Sequence, residues 1–268
     1  MTTQSKQRRR LGVAGALAAV AGSIALSAAA APLKPTVVLV HGAFADSSSW
    51  DGVVAELTRD GYPVFAAANP LRGAASDAAY VASIVKSVDG PVILVGHSYG
   101  GTVITQAAAG ARNVKGLVFV SAFAPGVGET SFGLAGKFPG ATLAAALAPP
   151  VWTPDGAQDL YIQQSRFPAQ FAADVPLAKA RLMAAAQRPI AQAAGEEAVT
   201  AAAWKTTPSW FIYGGKDLNI PPVALHFMAD RAHAQKVVLV PGASHVVMVS
   251  HPHEVAALIE AAAAASAP

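Results

Sequence analysis

The chain contains no cysteine, which excludes disulfide staples, thiolate ligands and a cysteine nucleophile. Charge is scarce: 13% of the 268 residues are Asp, Glu, Lys or Arg, against 53% hydrophobic. That balance excludes disorder by charge repulsion and suits a chain with a large core. A basic surface is missing too, despite a formal net charge of +3. Lys6, Arg8, Arg9 and Arg10 supply four of the 19 basic residues, and without them 15 basic residues face 16 acidic ones. No other Lys/Arg cluster could neutralise a row of phosphates, so a nucleic-acid partner is set aside. The mature chain has no phosphate loop or dinucleotide fingerprint, and His251-Pro252-His253-Glu254 has no recognised zinc spacing. No cofactor and no metal are therefore expected.

What is present begins with an export signal. The basic stretch Lys6–Arg10 precedes the uncharged segment Leu11–Ala31, and Ala28, Ala29 and Ala30 offer a small-residue cleavage site before Pro32. This layout predicts a signal peptide over 1–31, a mature domain over 32–268, and a secreted or periplasmic protein. Arg8-Arg9-Arg10-Leu11 loosely resembles a twin-arginine signal. An uncleaved membrane anchor is the competing reading. The Ala- and Gly-rich composition makes the segment weakly hydrophobic, so cleavage and no later membrane partner are expected.

Past the signal, short apolar runs alternate with Ala-rich segments. The runs Thr36–His41, Pro63–Ala67, Pro91–Gly96, Gly116–Ser121, Ser209–Tyr213 and Lys236–Val240 are continuous rather than alternating, as in strands buried on both faces. Trp50–Arg59, Asp77–Val88 and Thr102–Ala109 are long enough for crossover helices. The pattern predicts an α/β fold with a doubly wound, mostly parallel sheet. The interval between Ser121 and Ser209 shows no convincing strand and reads as an insertion. It is Pro- and Gly-rich up to Pro154, then helical around Gln158–Ser165, Pro176–Ala186 and Glu196–Trp204. Its aromatics Phe132, Phe138, Trp152, Tyr161, Phe167, Phe171 and Trp204 are expected mostly to form its own small core. The tail Ala261–Ala265 reads as the frayed end of a last helix.

The sharpest motif is Gly96-His97-Ser98-Tyr99-Gly100, between a buried strand and a helix. A G-x-S-x-G run in that context forms a tight elbow that lifts the serine over the carboxyl edge of the sheet. Ser98 is the expected nucleophile, and a serine needs a base. Of the seven histidines, His41 and His97 sit in loop-shaping motifs. His226 and His233 fall on a helix surface, and His251 and His253 open the last helix. His245, in the loop after the last strand, is the expected base. Asp217 follows the strand Ser209–Tyr213 on the same edge and is the expected carboxylate. Its competing reading is an N-cap for a helix at Pro221, a role that suits Asn219 better. The backbone N–H groups of Tyr99 and Ala43 are the expected oxyanion donors, with Phe44 as the substitute for Ala43.

These VLVHGAF, GHSYGG, GGKD and GASH stretches, in this order, resemble the α/β-hydrolase superfamily along nearly all of the mature chain. Within it the chain resembles the small cap-bearing group of plant methylesterases, hydroxynitrile lyases and bacterial esterases. The resemblance implies about six strands and a cap formed by residues of about 124–204. The lyases carry threonine where Gly42 stands and lysine where Val246 stands. Their absence favours ester hydrolysis, and Ser98 argues against the dehalogenases and epoxide hydrolases, which place Asp there. The expected activity is a carboxylic ester hydrolase acting on small or medium hydrophobic esters through an acyl-enzyme. Alternatives with the same triad are a perhydrolase, a lactone or carbon–carbon bond hydrolase, and a small-molecule receptor.

Overall fold

Six parallel strands form the spine of the computed structural model, which describes residues 1–2 and 34–266. The expected signal segment otherwise lies outside the described residues. The chain runs β1 (Thr36–Val40), α1 (Asp51–Arg59), β2 (Val64–Ala67), α2 (Ala74–Ser87), β3 (Val92–His97), α3 (Tyr99–Ala107) and β4 (Val114–Val120). Next come α4 (Ser131–Gly136), α5 (Leu143–Ala146), β5 (Val151–Trp152), β6 (Gln158–Leu160), α6 (Phe167–Phe171), α7 (Leu177–Ala186), β7 (Ile190–Ala191) and α8 (Gln192–Glu196). It ends with β8 (Ser209–Gly214), α9 (Pro222–Arg231), β9 (Lys236–Val240), α10 (Val247–Ser250) and α11 (Pro252–Ala265).

The large sheet has the order β2-β1-β3-β4-β8-β9, with every pairing parallel. The α/β reading with about six strands therefore holds. Val37–Val40, Val92–Val95, Leu117–Val120 and Phe211–Ile212 are wholly buried, each large side chain contributing about 1.5–3 kcal/mol. Phe119 stacks on Phe211 at 4.6 Å across neighbouring strands. Burial on both faces fails at the two edges. Phe65 on β2 and Val237 and Leu239 on β9 are exposed, because an edge strand has a neighbour on one side only.

The insertion departs further from expectation. Three short strands, β5-β6-β7, pair antiparallel within it. Gln158–Leu160, read as the start of a helix, is the middle strand. Strands of two or three residues show no periodicity, although Thr153-Pro154-Asp155-Gly156-Ala157 carries the turn chemistry that joins β5 to β6. The Pro/Gly-rich half contains α4, capped by Thr130 Oγ1, which accepts from Gly133 N at 2.9 Å. Glu196–Trp204 is mostly irregular, with a single 3₁₀ turn at Ala203–Lys205. Nor do the aromatics form one core of their own. Phe167 and Phe171 are fully buried, whereas Trp152 is 66% exposed. At the C-terminus Ala262 and Ala263 are buried and α11 is intact to Ala265. The small alanines let this helix lie close against the sheet instead of fraying.

Candidate active site

The carboxyl edge of the sheet gathers four loops. Strand β3 ends at His97 and α3 begins at Tyr99, so Ser98 alone makes the turn, with φ 53° and ψ −123°. A non-glycine residue there is strained, and close backbone packing enforces it. A side chain on Gly100 would put its Cβ 2.3 Å from Val40 O. A side chain on Gly42, in the loop after β1, would put its Cβ 2.6 Å from Ser98 Cβ. The Gly42 backbone therefore lies directly against the serine, and a threonine at this position would collide with it.

His245 Nδ1 donates to Asp217 Oδ2 at 2.7 Å, with both side chains essentially buried. Since Nδ1 carries the proton, Nε2 keeps its lone pair. Ser98 and His245 line the same cavity of about 40 Å³, walled by Phe123, Phe132, Leu143 and Ile220. The other oxygen of Asp217 accepts from Asn219 N at 2.8 Å and Ile220 N at 2.9 Å. Asp217 thus shapes its own turn with one oxygen and orients the histidine with the other. Asn219 does not cap α9, whose start has no side-chain cap.

Two more histidines support the loops. His41 Nδ1 donates to Gly42 O at 2.9 Å, and its Nε2 accepts from Asn69 N at 3.1 Å. Burial pushes His41 down to about 4, so it is neutral at pH 7. The carbonyl it holds belongs to the same peptide unit as the N–H of Ala43, so His41 fixes the plane of that N–H. Ala43 N–H makes no hydrogen bond among the described residues, whereas Phe44 N–H is committed to Arg188 O at 2.9 Å. Tyr99 N–H sits in the first turn of α3, where the helix leaves donors free. His97 Nε2 donates to His245 O at 3.2 Å. Burial, then the neighbouring His245, holds His97 well below its ordinary value. The Tyr99 hydroxyl donates to the buried Asp77 at 2.9 Å, and burial pushes that carboxyl up.

Sequence reasoning missed how the insertion enters the site. Phe171 packs edge-on against His245 at 5.1 Å and also meets His97 and Phe44. Asp174 accepts from Ser244 Oγ, next to His245. Arg72 Nη1 pairs with Asp159 on β6 at 2.6 Å. Phe44 also lines an open groove of about 260 Å³, between Ala45–Ser49 and α7 residues such as Leu182 and Met183. The remaining histidines stay apart from the serine: His226, His233 and His253 are exposed, and His251 meets Asp174 and Glu254. Among the described residues no group of three His, Asp or Glu could hold a metal ion. None of their helices is long and apolar enough to cross a membrane.

Residues 37–258 match the model of the "Alpha/beta hydrolase family". The "Probable hydrolase R7" of Phoma sp. (strain ATCC 20986 / MF5453) is 35% identical over 113 residues, 37% of this chain. The chain spans about half (46%) of that relative's length. Among solved structures, polyneuridine aldehyde esterase superposes with a TM-score of 0.74 at 19% identity, covering 85% of this chain and 98% of the other. A pyrethroid hydrolase from Sphingobium faniae JZ-2 gives 0.67 at 22% identity, covering 86% and 98%. At such identities the likeness is one of fold.

Proposed function

The chain belongs to the alpha/beta hydrolase family, and on that premise we propose that it cleaves carboxylic esters through an acyl-serine. The observation that carries this reading is the buried 2.7 Å bond from His245 Nδ1 to Asp217 Oδ2, beside a cavity that also holds Ser98. His245 Nε2 takes the Ser98 proton as Oγ attacks the carbonyl carbon. The developing oxyanion is held by the N–H groups of Ala43 and Tyr99, each such donor being worth about 2.7–4 kcal/mol. His245 then protonates the leaving alcohol. In the second half-reaction it takes a proton from water, which attacks the acyl-serine and releases the acid.

The names of the structural neighbours, an esterase and a pyrethroid hydrolase, support hydrolysis of an ester. The mostly apolar cavity walls favour a small or medium hydrophobic ester with no anionic anchor. The N-terminal sequence, Lys6–Arg10 followed by Leu11–Ala31, supports export and signal cleavage. The reaction is tested with p-nitrophenyl acetate and butyrate on the purified protein and its Ser98→Ala variant. Turnover by the wild type, lowered about 10³-fold or more in the variant, supports the reading. Equal rates for both proteins sink it. Detection of residues 1–31 on the protein recovered from the periplasm or medium would remove signal cleavage.

A further inference from the structure

The cavity beside Ser98 and His245 is lined mostly by apolar side chains, and of its polar lining residues Asn219 alone keeps a buried side-chain atom without a hydrogen-bond partner among the described residues. This side chain is 3% exposed and lines the cavity, yet its Nδ2 has no hydrogen-bond partner among the described residues. The hydroxyls of two other lining residues are already committed, Ser131 Oγ with Thr102 Oγ1 at 2.7 Å and Tyr99 to Asp77 at 2.9 Å.

The orientation of the Asn219 amide is determined by its neighbours. Gln170 on α6 contacts Leu218 O at 3.1 Å with the same amide group that meets Asn219 at 2.8 Å. A backbone carbonyl only accepts, so that group is the Gln170 NH₂. Asn219 must then present its oxygen to Gln170. Thr142 Oγ1 donates to Gln170 Oε1 at 2.9 Å and completes the chain. Asn219 is also held from below, its own N–H bonded to Asp217 Oδ1. Two donor hydrogens on Nδ2 are thereby left uncommitted in a buried side chain that borders the apolar cavity, where an unpaired donor is costly.

We propose that Asn219 Nδ2 is a substrate-binding donor, and that the substrate is an ester carrying a second acceptor oxygen, keto or ether, in its acyl half. This rests on the ester-hydrolase reading above. The acyl half is the part concerned because it stays on Ser98 while the alcohol leaves. The cavity holds Ser98 and His245 together with Asn219, so the group that remains on the serine is the one placed beside this amide. An acceptor oxygen at Asn219 satisfies the orphan donor, and a methylene in its place leaves it unpaired, which is the basis of strong discrimination.

The test compares ethyl methoxyacetate with ethyl butanoate, and ethyl 3-methoxypropanoate with ethyl pentanoate. Within each pair one oxygen replaces one methylene. The quantity read is the ratio of kcat/KM within a pair, in the wild type and in Asn219→Leu, so intrinsic reactivity cancels. For at least one pair the wild-type ratio exceeds that of the variant by about tenfold or more. Should the leucine variant not fold, Asn219→Ala, which adds no bulk, is read in the same way. Equal ratios in wild type and variant for both pairs, with esters turned over and Ser98 labelled by a fluorophosphonate, overturn the proposal and leave the ester reading standing. Absence of both turnover and Ser98 labelling takes down the two together.

Discussion

The two halves of the site are built in different ways. Along the sheet edge, Gly42, Ser98, Asp217 and His245 are placed by main chain. Strands in register bring the loops together, and backbone contacts that exclude a side chain press Gly42 and Gly100 against their neighbours. Across the cavity, the insertion supplies Phe132, Leu143 and Phe171 from helices of four to six residues, with Gln170 bonded to Asn219. Tethers such as Arg72 to Asp159, Ser244 to Asp174, Phe44 N–H to Arg188 O and Gln170 to Leu218 O hold them. Chemistry that tolerates little displacement is thus carried by rigid backbone. The walls of the cavity are carried by side chains on short, replaceable pieces.

That contrast can be broken most sharply at Asp217. Asp217→Asn keeps Oδ1, and with it the turn to Asn219 and Ile220, but no longer holds the histidine tautomer. We expect kcat for p-nitrophenyl butyrate to fall about 10⁴-fold with the melting temperature little changed. A loss below tenfold would show that the buried pair is structural.

Gly42→Ala comes next. A Cβ 2.6 Å from Ser98 Cβ must displace either the serine or the oxyanion loop, and kcat is expected to drop about 10²-fold with KM moving far less. Unchanged kinetics would mean that the loop yields freely, and the rigidity attributed to the sheet edge would be wrong.

A smaller effect is read in stability against pH. His41 titrates at about 4 in the folded protein and near 6.5 when unfolded, so the unfolded state binds its proton first as pH falls. Stability from this group is complete above 6.5, is lost as pH falls toward 4, and levels off below. The loss is about 3 kcal/mol. Urea unfolding of His41→Gln at pH 7 and pH 4.5 should show a shallower dependence than wild type; parallel curves would refute the assignment. The smallest change is expected in the insertion. Trp152→Ser, at an exposed edge strand, should alter stability by under about 0.5 kcal/mol and kcat/KM by less than twofold. A large loss of activity in that variant would extend the working site to the outer face of the insertion.

The sheet and the elbow were legible in the residues because their signals are local. Pro91–Gly96 is a continuous β-branched run, Ser98 lies between two glycines, and His245 and Asp217 each follow a strand. The order of motifs along the chain is enough to put them on one edge. The insertion was not legible to the same degree. Two-residue strands carry no period, helices such as α5 and α6 are too short to show an apolar stripe, and Trp152, read with the other aromatics of the insertion as core, is exposed. Tertiary contact alone decided that Phe171 leans on His245, that Asn219 borders the cavity and keeps an unused donor, and that His41 holds the Gly42–Ala43 peptide. Each of these depends on groups brought together from distant parts of the chain, and the direction of a hydrogen bond or ring cannot be inferred from residue spacing. What the sequence determined by itself was the sheet, the order of the loops and the residue types at their tips. What the folded chain decided was which side chains fill the space between them, because packing at the cavity is a property of the assembled surfaces and of no single segment.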